Sequence, residues 1–181
     1  MIQRILLDVD GVLANLRDAL GAKLNRPSPY EAGKRYGFQT APLWGISDAE
    51  MWAGCDRAFW AGVPLMPWAL ELVNELELRF GQGNICLLTS PIDEDGCVDG
   101  KRDWVKQHLP AYRRRTMIGP AKEFCAGSLK HALIDDRPEN IDTFAAAGGS
   151  VFTFPAPWND GYLEAANPMP AVHRWLSSLD E

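Results

Sequence analysis

Two carboxylates, Asp8 and Asp10, stand one residue apart in the stretch ILLDVDGVL, behind an apolar run and directly before Gly11. Such a pair can divide a phosphoryl displacement into two easier steps. One carboxylate attacks phosphorus, and the other protonates the leaving alcohol and then takes a proton from the hydrolytic water. Asp8, at the end of the apolar run, is the expected nucleophile. Asp10 is the expected acid/base, because residues two apart on an extended chain face the same side. Gly11 permits a sharp turn that brings backbone N–H groups close to a phosphate. Three further stretches carry matching chemistry: ICLLTSP with Thr89 and Ser90, PAKEF with Lys122, and HALIDDRP with Asp135 and Asp136. Thr89 or Ser90 can donate a hydroxyl hydrogen bond to a non-bridging phosphate oxygen, and Lys122 can supply a full positive charge. Lys101, at a helix start, and Lys130, near a strand, are rivals for the lysine role.

Carboxylates gathered in one crevice repel one another unless a cation sits among them. Hard oxygen donors suit Mg²⁺, which keeps several waters and takes one or two carboxylates plus substrate phosphate. Asp8 and Asp135 are the expected direct ligands. The backbone carbonyl of Asp10 is a third donor, and Asp136 is a further candidate.

These residues need a frame that delivers them to one place. Short aliphatic runs are expected as strands at residues 4–9, 84–88, 116–118, 132–134 and 150–153, and amphipathic stretches alternate with them, the pattern of a parallel sheet covered on both faces. In such a sheet all strands point their C-terminal ends to one edge, and ligands bind there. The chemistry-bearing residues all follow strands. Pro67 is read as opening a helix in which Leu70, Val73, Leu76 and Phe80 recur at three- and four-residue steps, with Gly81 as its cap. GKRDWVKQHLP stops at Pro110, and RPENIDTFAAAGG starts with proline and ends in glycines. Residues 15–63 show no strand. Ser47 followed by Glu50 fits a capping box, so this stretch is read as a small helical lobe.

The chain has 181 residues, enough for one full core plus a small inserted lobe. Its 18 Lys and Arg against 24 Asp and Glu give a net charge of -6, which argues against a duplex-binding surface and long nucleic acids as partners. A small phosphorylated molecule remains compatible. No apolar stretch approaches a membrane span, and the short N-terminal run is soon charged, so a cytosolic location is expected. Cys55, Cys86, Cys97 and Cys125 are scattered without a CxxC pair and are read as free thiols.

Four other features read as structural. Trp44, Trp52, Trp60 and Trp68 recur every eight residues, but eight residues advance a helix by about 800°, so the rings cannot share a face. GQGN precedes a strand rather than following one, the wrong order for a dinucleotide fingerprint. IDEDGCVDG lacks the glutamate that an EF-hand requires and is read as a solvated acidic loop near the site mouth. YRRRT, residues 112–116, is a basic approach to the third strand that could also draw in anionic substrate.

With DVDGV, LLTS, a lysine and LIDD in this order, the sequence resembles the haloacid dehalogenase (HAD) superfamily of aspartate-nucleophile phosphatases, over residues 4 to about 153. The resemblance implies an α/β fold: a Rossmann-like parallel sheet with helices on both faces and a helical cap inserted after the first strand. Residues 1–14 and 65–181 would form the core and residues 15–64 the cap. DVDGVLANL, ICLLTSP, CVDGKRDWVKQHL and HALIDDRPENI are closer still to the 5'(3')-deoxyribonucleotidases of that superfamily. Carried across, Asp8 is the nucleophile, Asp10 the acid/base, Thr89 and Ser90 phosphate-binding, Lys122 the motif lysine, and Asp135 with Asp136 the metal pair. RAFWAGVPLMPWA is similar to the segment that sets aromatic rings against the base, which makes Phe59 and Trp60 candidate base contacts. The implied activity is Mg²⁺-dependent hydrolysis of deoxynucleoside monophosphates through an aspartyl-phosphate.

Two other readings use the same residues. The same chemistry could serve another small phosphate ester or a nucleic-acid end. A phospho-accepting signalling module also uses acidic residues, a hydroxyl and a lysine, but in it the acidic pair comes first and the phosphorylated aspartate follows on a later strand. Asp10, whose work is turnover, has no place there. Dimerisation through the cap or a sheet edge stays open.

Overall fold

The computed structural model describes residues 2–180. Five strands, β1 (Arg4–Leu7), β2 (Ile85–Thr89), β3 (Thr116–Ile118), β4 (His131–Asp135) and β5 (Ser150–Thr153), form one parallel sheet in the order β3-β2-β1-β4-β5. Each strand lies within two residues of its sequence expectation, because a short aliphatic run between turn residues has few other uses. Strand parity sorts the core. Ile5, Leu7, Ile85 and Leu87 join Leu72 and Leu76 of α4 (Ala69–Phe80), Trp104 of α5 (Cys97–His108) and Val172 of α7 (Met169–Ser178) on one face. Leu6, Leu88 and Leu133 meet Phe144 of α6 (Pro138–Ala146) on the other. The three-layer α/β arrangement expected from the alternation of elements is therefore present.

Helix ends differ from expectation where local cues compete. Helix α4 begins at Ala69, with Pro67 ahead of it rather than in its first turn. The indole of Trp68 donates to the Val12 carbonyl at 3.0 Å and holds that corner to the first loop. Gly81, at φ +78°, ends the helix as expected. Helix α5 starts at Cys97, just after Gly96 at φ +84°, so Val98 and Asp99 of the acidic stretch are helical, and only residues 92–96 form the loop. Helix α7 has no counterpart in the sequence reading; its Trp175 stacks on Phe152 of β5 at 4.8 Å.

The stretch between β1 and α4 carries three short helices, α1 (Leu16–Lys23), α2 (Asp48–Trp52) and α3 (Arg57–Ala61). Ser47 and Glu50 make the expected capping box. The chain leaves and returns at one point: Asn15 N–H donates to Pro64 O and Met66 N–H to Leu13 O, both at 2.8 Å. The lobe is fused to the sheet domain rather than hung from it. Leu20, Met51 and Trp60 belong to the same buried cluster as Leu7 and Trp104. Helices α3 and α5 touch so closely that a Cβ on Gly100 would lie 2.4 Å from the Trp60 Cβ and 2.7 Å from the Arg57 carbonyl oxygen. The four tryptophans share no helix: Trp44 ends a 3-10 turn (Ala41–Trp44), Trp52 lies in α2, Trp60 in α3 and Trp68 just before α4. No helix among the described residues is long and apolar enough to cross a membrane.

Candidate active site

The chain runs outward from β1 to β2 and β3, then returns to place β4 on the other side of β1. That reversal opens a crevice at the C-terminal ends of β1 and β4. Asp8 follows β1, its N–H donating to Ile134 O at 2.9 Å, and Asp135 ends β4. The Asp8, Asp135 and Asp136 carboxylates each offer an oxygen within 4.8 Å of the others, and all three residues are buried.

Lys122 closes this group. It enters from a 3-10 turn (Lys122–Cys125) after β3 and is 1% exposed. Its ammonium donates to Asp8 Oδ1 and to Asp135 Oδ2, both at 2.6 Å. Asp135 Oδ2 also accepts from Asn140 Nδ2 at 3.0 Å, and its Oδ1 accepts from the Arg137 N–H at 2.9 Å. Two aromatic and amide side chains fix the next residue: Trp158 Nε1 and Asn159 Nδ2 donate to the Asp136 carbonyl at 3.1 and 2.9 Å. Gly11, at φ +86°, is forced by this crowding, since a Cβ there would stand 2.0 Å from Asp136 Oδ2.

One lysine among three carboxylates leaves the group short of positive charge. Burial, then repulsion from Asp135, pushes the Asp8 carboxyl up to about 7 against the pull of Lys122. Burial and the charges of Asp8 and Asp135 raise Asp136 well above the usual carboxylate range. Burial alone would lower the Lys122 pKa, but the attraction of Asp8 and Asp135 outweighs it and holds the group above the ordinary lysine value. A hard divalent cation would relieve this imbalance, and the all-oxygen donor set fits one.

Asp10 sits in a different setting. Its Oδ2 accepts from Thr89 Oγ1 at 3.1 Å and from the Lys101 ammonium, which also lies 3.1 Å from Thr89 Oγ1 and 4.8 Å from the centre of the Trp60 ring. Asp10 is thus outside the three-carboxylate cluster as a side-chain ligand. Of the three lysines weighed from sequence, Lys122 reaches Asp8, Lys101 reaches Asp10, and Lys130 is exposed and outside the site.

These groups open into a cavity of about 570 Å³. Asp8, Asp10, Ser90, Lys122 and Asp136 all border it. Thr89 does not; it is fully buried, and its hydroxyl is spent on Asp10. Trp60 is among the residues lining the cavity, whereas Phe59 packs edge-on against Trp60 at 5.5 Å and is not. Trp52, also among the lining residues, stacks on Trp60 at 5.9 Å and 23°. Sequence reasoning also missed Arg17 and Phe38. The Arg17 guanidinium lies 5.0 Å from both the Phe38 and Trp158 rings, and Arg137 packs on Phe38 at 4.6 Å. Arg137 was within reach of the sequence, since it directly follows the DD pair. Phe38 carries no local signal, because its partners lie far away in the chain.

No protein-family profile matches the sequence, and no curated protein does. Solved structures do. A hydrolase from Streptococcus pneumoniae is similar at a TM-score of 0.52 and 16% identity, over 84% of this chain and 92% of that one. A HAD family hydrolase from Deinococcus radiodurans with bound phosphate and sodium is similar at 0.51 and 13%, over 83% and 79%. A HAD-hydrolase from Bacillus subtilis bound to magnesium is similar at 0.50 and 14%, over 98% and 100%. The fold is that of the HAD-type hydrolases, an α/β parallel sheet of Rossmann type.

Proposed function

We propose that the protein is a Mg²⁺-dependent phosphomonoesterase that hydrolyses deoxynucleoside monophosphates through an aspartyl-phosphate on Asp8. The observation that carries this is the buried bridge from Lys122 to Asp8 and Asp135, with Asp136 beside it, at the switch point of a parallel sheet. The magnesium bound to the Bacillus subtilis hydrolase and the phosphate in the Deinococcus radiodurans one support the reading. Asp8, Asp135 and Asp136 would hold the Mg²⁺, which supplies charge neutralisation for the phosphoryl oxygens.

Lys122 occupies Asp8 Oδ1, so Oδ2 is the oxygen free to attack. As the bond from Oδ2 to phosphorus forms, the ester P–O bond breaks and the leaving oxygen takes a proton from Asp10. Lys101 and Thr89 hold Asp10 by Oδ2, which leaves Oδ1 for that transfer. Water then attacks phosphorus and gives its proton to Asp10. The Asp8–phosphorus bond breaks, and inorganic phosphate leaves. Ser90 at the cavity wall is placed to donate to a phosphate oxygen, and Lys122 offsets the negative charge that builds up.

The base is assigned to the aromatic wall. Trp52 and Phe38 border the cavity with flat apolar faces of the kind that hold a planar ring, and the buried Trp60 stacks on Trp52. Residues 15–64, which contribute all three, act as the cap. Mg²⁺-dependent phosphate release from a panel of deoxy- and ribonucleoside monophosphates, 5' and 3', is the test, with Asp8→Asn as control. Preference for deoxy substrates and silence in Asp8→Asn are expected. Turnover of an aryl phosphate without any nucleotide would move the substrate elsewhere, and Mg²⁺-dependent turnover by Asp8→Asn would end the covalent mechanism.

A further inference from the structure

A second cavity, of about 480 Å³, opens at the other edge of the sheet, around the N-terminal ends of β1, β2 and β3. Asp8 lies four residues of strand beyond Arg4, about 13 Å away, so this space is no extension of the catalytic crevice. Its charged lining is of one sign: Arg4, Arg114 and Arg115 border it, together with His131, and no carboxylate does. Two of the arginines come from the YRRRT cluster, to which the proposed chemistry assigns no role.

Of the twelve arginines in this chain of net charge -6, six (Arg35, Arg57, Arg79, Arg102, Arg137 and Arg174) form ion pairs with acidic side chains. Among the described residues none of the three cavity arginines forms an ion pair. Arg115 donates to the Gln82 carbonyl at 2.8 Å, and His131 Nδ1 is 3.3 Å from the Cys125 carbonyl, so both are held in place. Beneath the charges the lining turns apolar. Leu6 pairs with Cys86 and Leu88 with Met117, placing Cys86 and the exposed Met117 on the same sheet face, and α6 covers β4 and β5 rather than this side.

The number and placing of the charges indicate what fits. In the order β3-β2-β1, Arg4 at the start of β1 and Arg115 just before β3 stand two strand spacings apart and two residues out of register, roughly 12 Å at the backbone. A single phosphate group carries about -1.5 to -2 near neutral pH, so three guanidinium charges are matched better by two or three linked phosphates than by one. We propose that this cavity binds a small molecule carrying two or three linked phosphates, gripped by Arg4, Arg114 and Arg115, with its apolar part on Met117 and Cys86.

The test is calorimetric binding of inorganic tripolyphosphate to the full chain without divalent metal, compared with Arg4→Gln/Arg114→Gln and with Arg137→Gln, which lies in the catalytic cavity. The double variant is expected to bind ~10-fold or more weakly, as befits the loss of two charged hydrogen-bonding groups, and Arg137→Gln to bind as the parent does. Equal affinity in the double variant, or loss in Arg137→Gln, would place the anion in the catalytic crevice and overturn the assignment. A readout on the unmutated protein guards against misfolding: saturating tripolyphosphate should slow N-ethylmaleimide labelling of Cys86 and Cys125, read by mass spectrometry. Unchanged labelling of both thiols refutes the site. A short single-stranded oligonucleotide that binds through the same arginines more tightly than tripolyphosphate would refute the small-molecule assignment.

Discussion

Replacing Lys122 with methionine removes the charge that links β1 to β4 while keeping most of the side-chain volume. The ammonium makes two charge-assisted hydrogen bonds, at 2.6 Å each, from a side chain that is 1% exposed. Hydrogen bonds to charged groups contribute about 1.5–3 kcal/mol each, so the pair contributes roughly 3–6 kcal/mol. Breaking a buried ion pair by deleting one partner costs about 3–5 kcal/mol, in agreement. For a domain of this length each kcal/mol moves Tm by roughly 2–4 °C, which places the loss at about 6–20 °C in EDTA. A divalent cation ligated by the same carboxylates should restore part of it, so the Tm rise on adding Mg²⁺ should be larger in Lys122→Met than in the parent. Thermal unfolding by circular dichroism, with and without Mg²⁺, measures both quantities. A Tm within about 2 °C of the parent in EDTA would show that the bridge contributes little and that the charge argument is wrong.

Other consequences follow from the same geometry. Gly11→Ala adds a Cβ 2.0 Å from Asp136 Oδ2 at φ +86°; it should cost about 1–3 kcal/mol and weaken Mg²⁺ binding, seen by calorimetry. Because the Asp8 carboxyl is raised to about 7 from 3.8, the native protein keeps a proton that the unfolded chain has released between those values. Metal-free stability from this group is therefore complete below about pH 4 and is lost as pH rises towards 7, and Asp8→Asn should flatten that slope in urea unfolding at stepped pH. Gly100→Ala forces α3 off α5, since its Cβ would lie 2.4 Å from the Trp60 Cβ; a loss of about 1–3 kcal/mol is expected, together with a shift in Trp fluorescence. Asp10→Asn should slow turnover by about 10²–10⁴-fold while leaving Mg²⁺ affinity near that of the parent, because Asp10 lies outside the three-carboxylate cluster.

Strand positions, the parallel sheet and the inserted helical lobe were legible in the sequence because aliphatic runs, turn residues and a capping box act over a few neighbours. The placement of Asp8, Asp10, Asp135 and Asp136 at strand ends was legible for the same reason. Partnership was not. Lys122 and Lys101 are chemically equivalent on paper, and only the packing of the 3-10 turn after β3 and of α5 directs one to Asp8 and the other to Asp10. Thr89 and Ser90 are adjacent, yet strand alternation turns the first onto Asp10 and leaves the second at the cavity wall. Arg17 and Phe38 reach the cavity through contacts with segments far apart in the chain, which no local pattern encodes, and Trp52 through its stacking on Trp60 of the next helix. The sequence by itself determined most of the local elements and which residue types stand at the strand ends, since both depend on residue type and short spacing. The tertiary structure decided which charge faces which and where the cationic cavity lies, because those depend on distances across strands that chain order does not set.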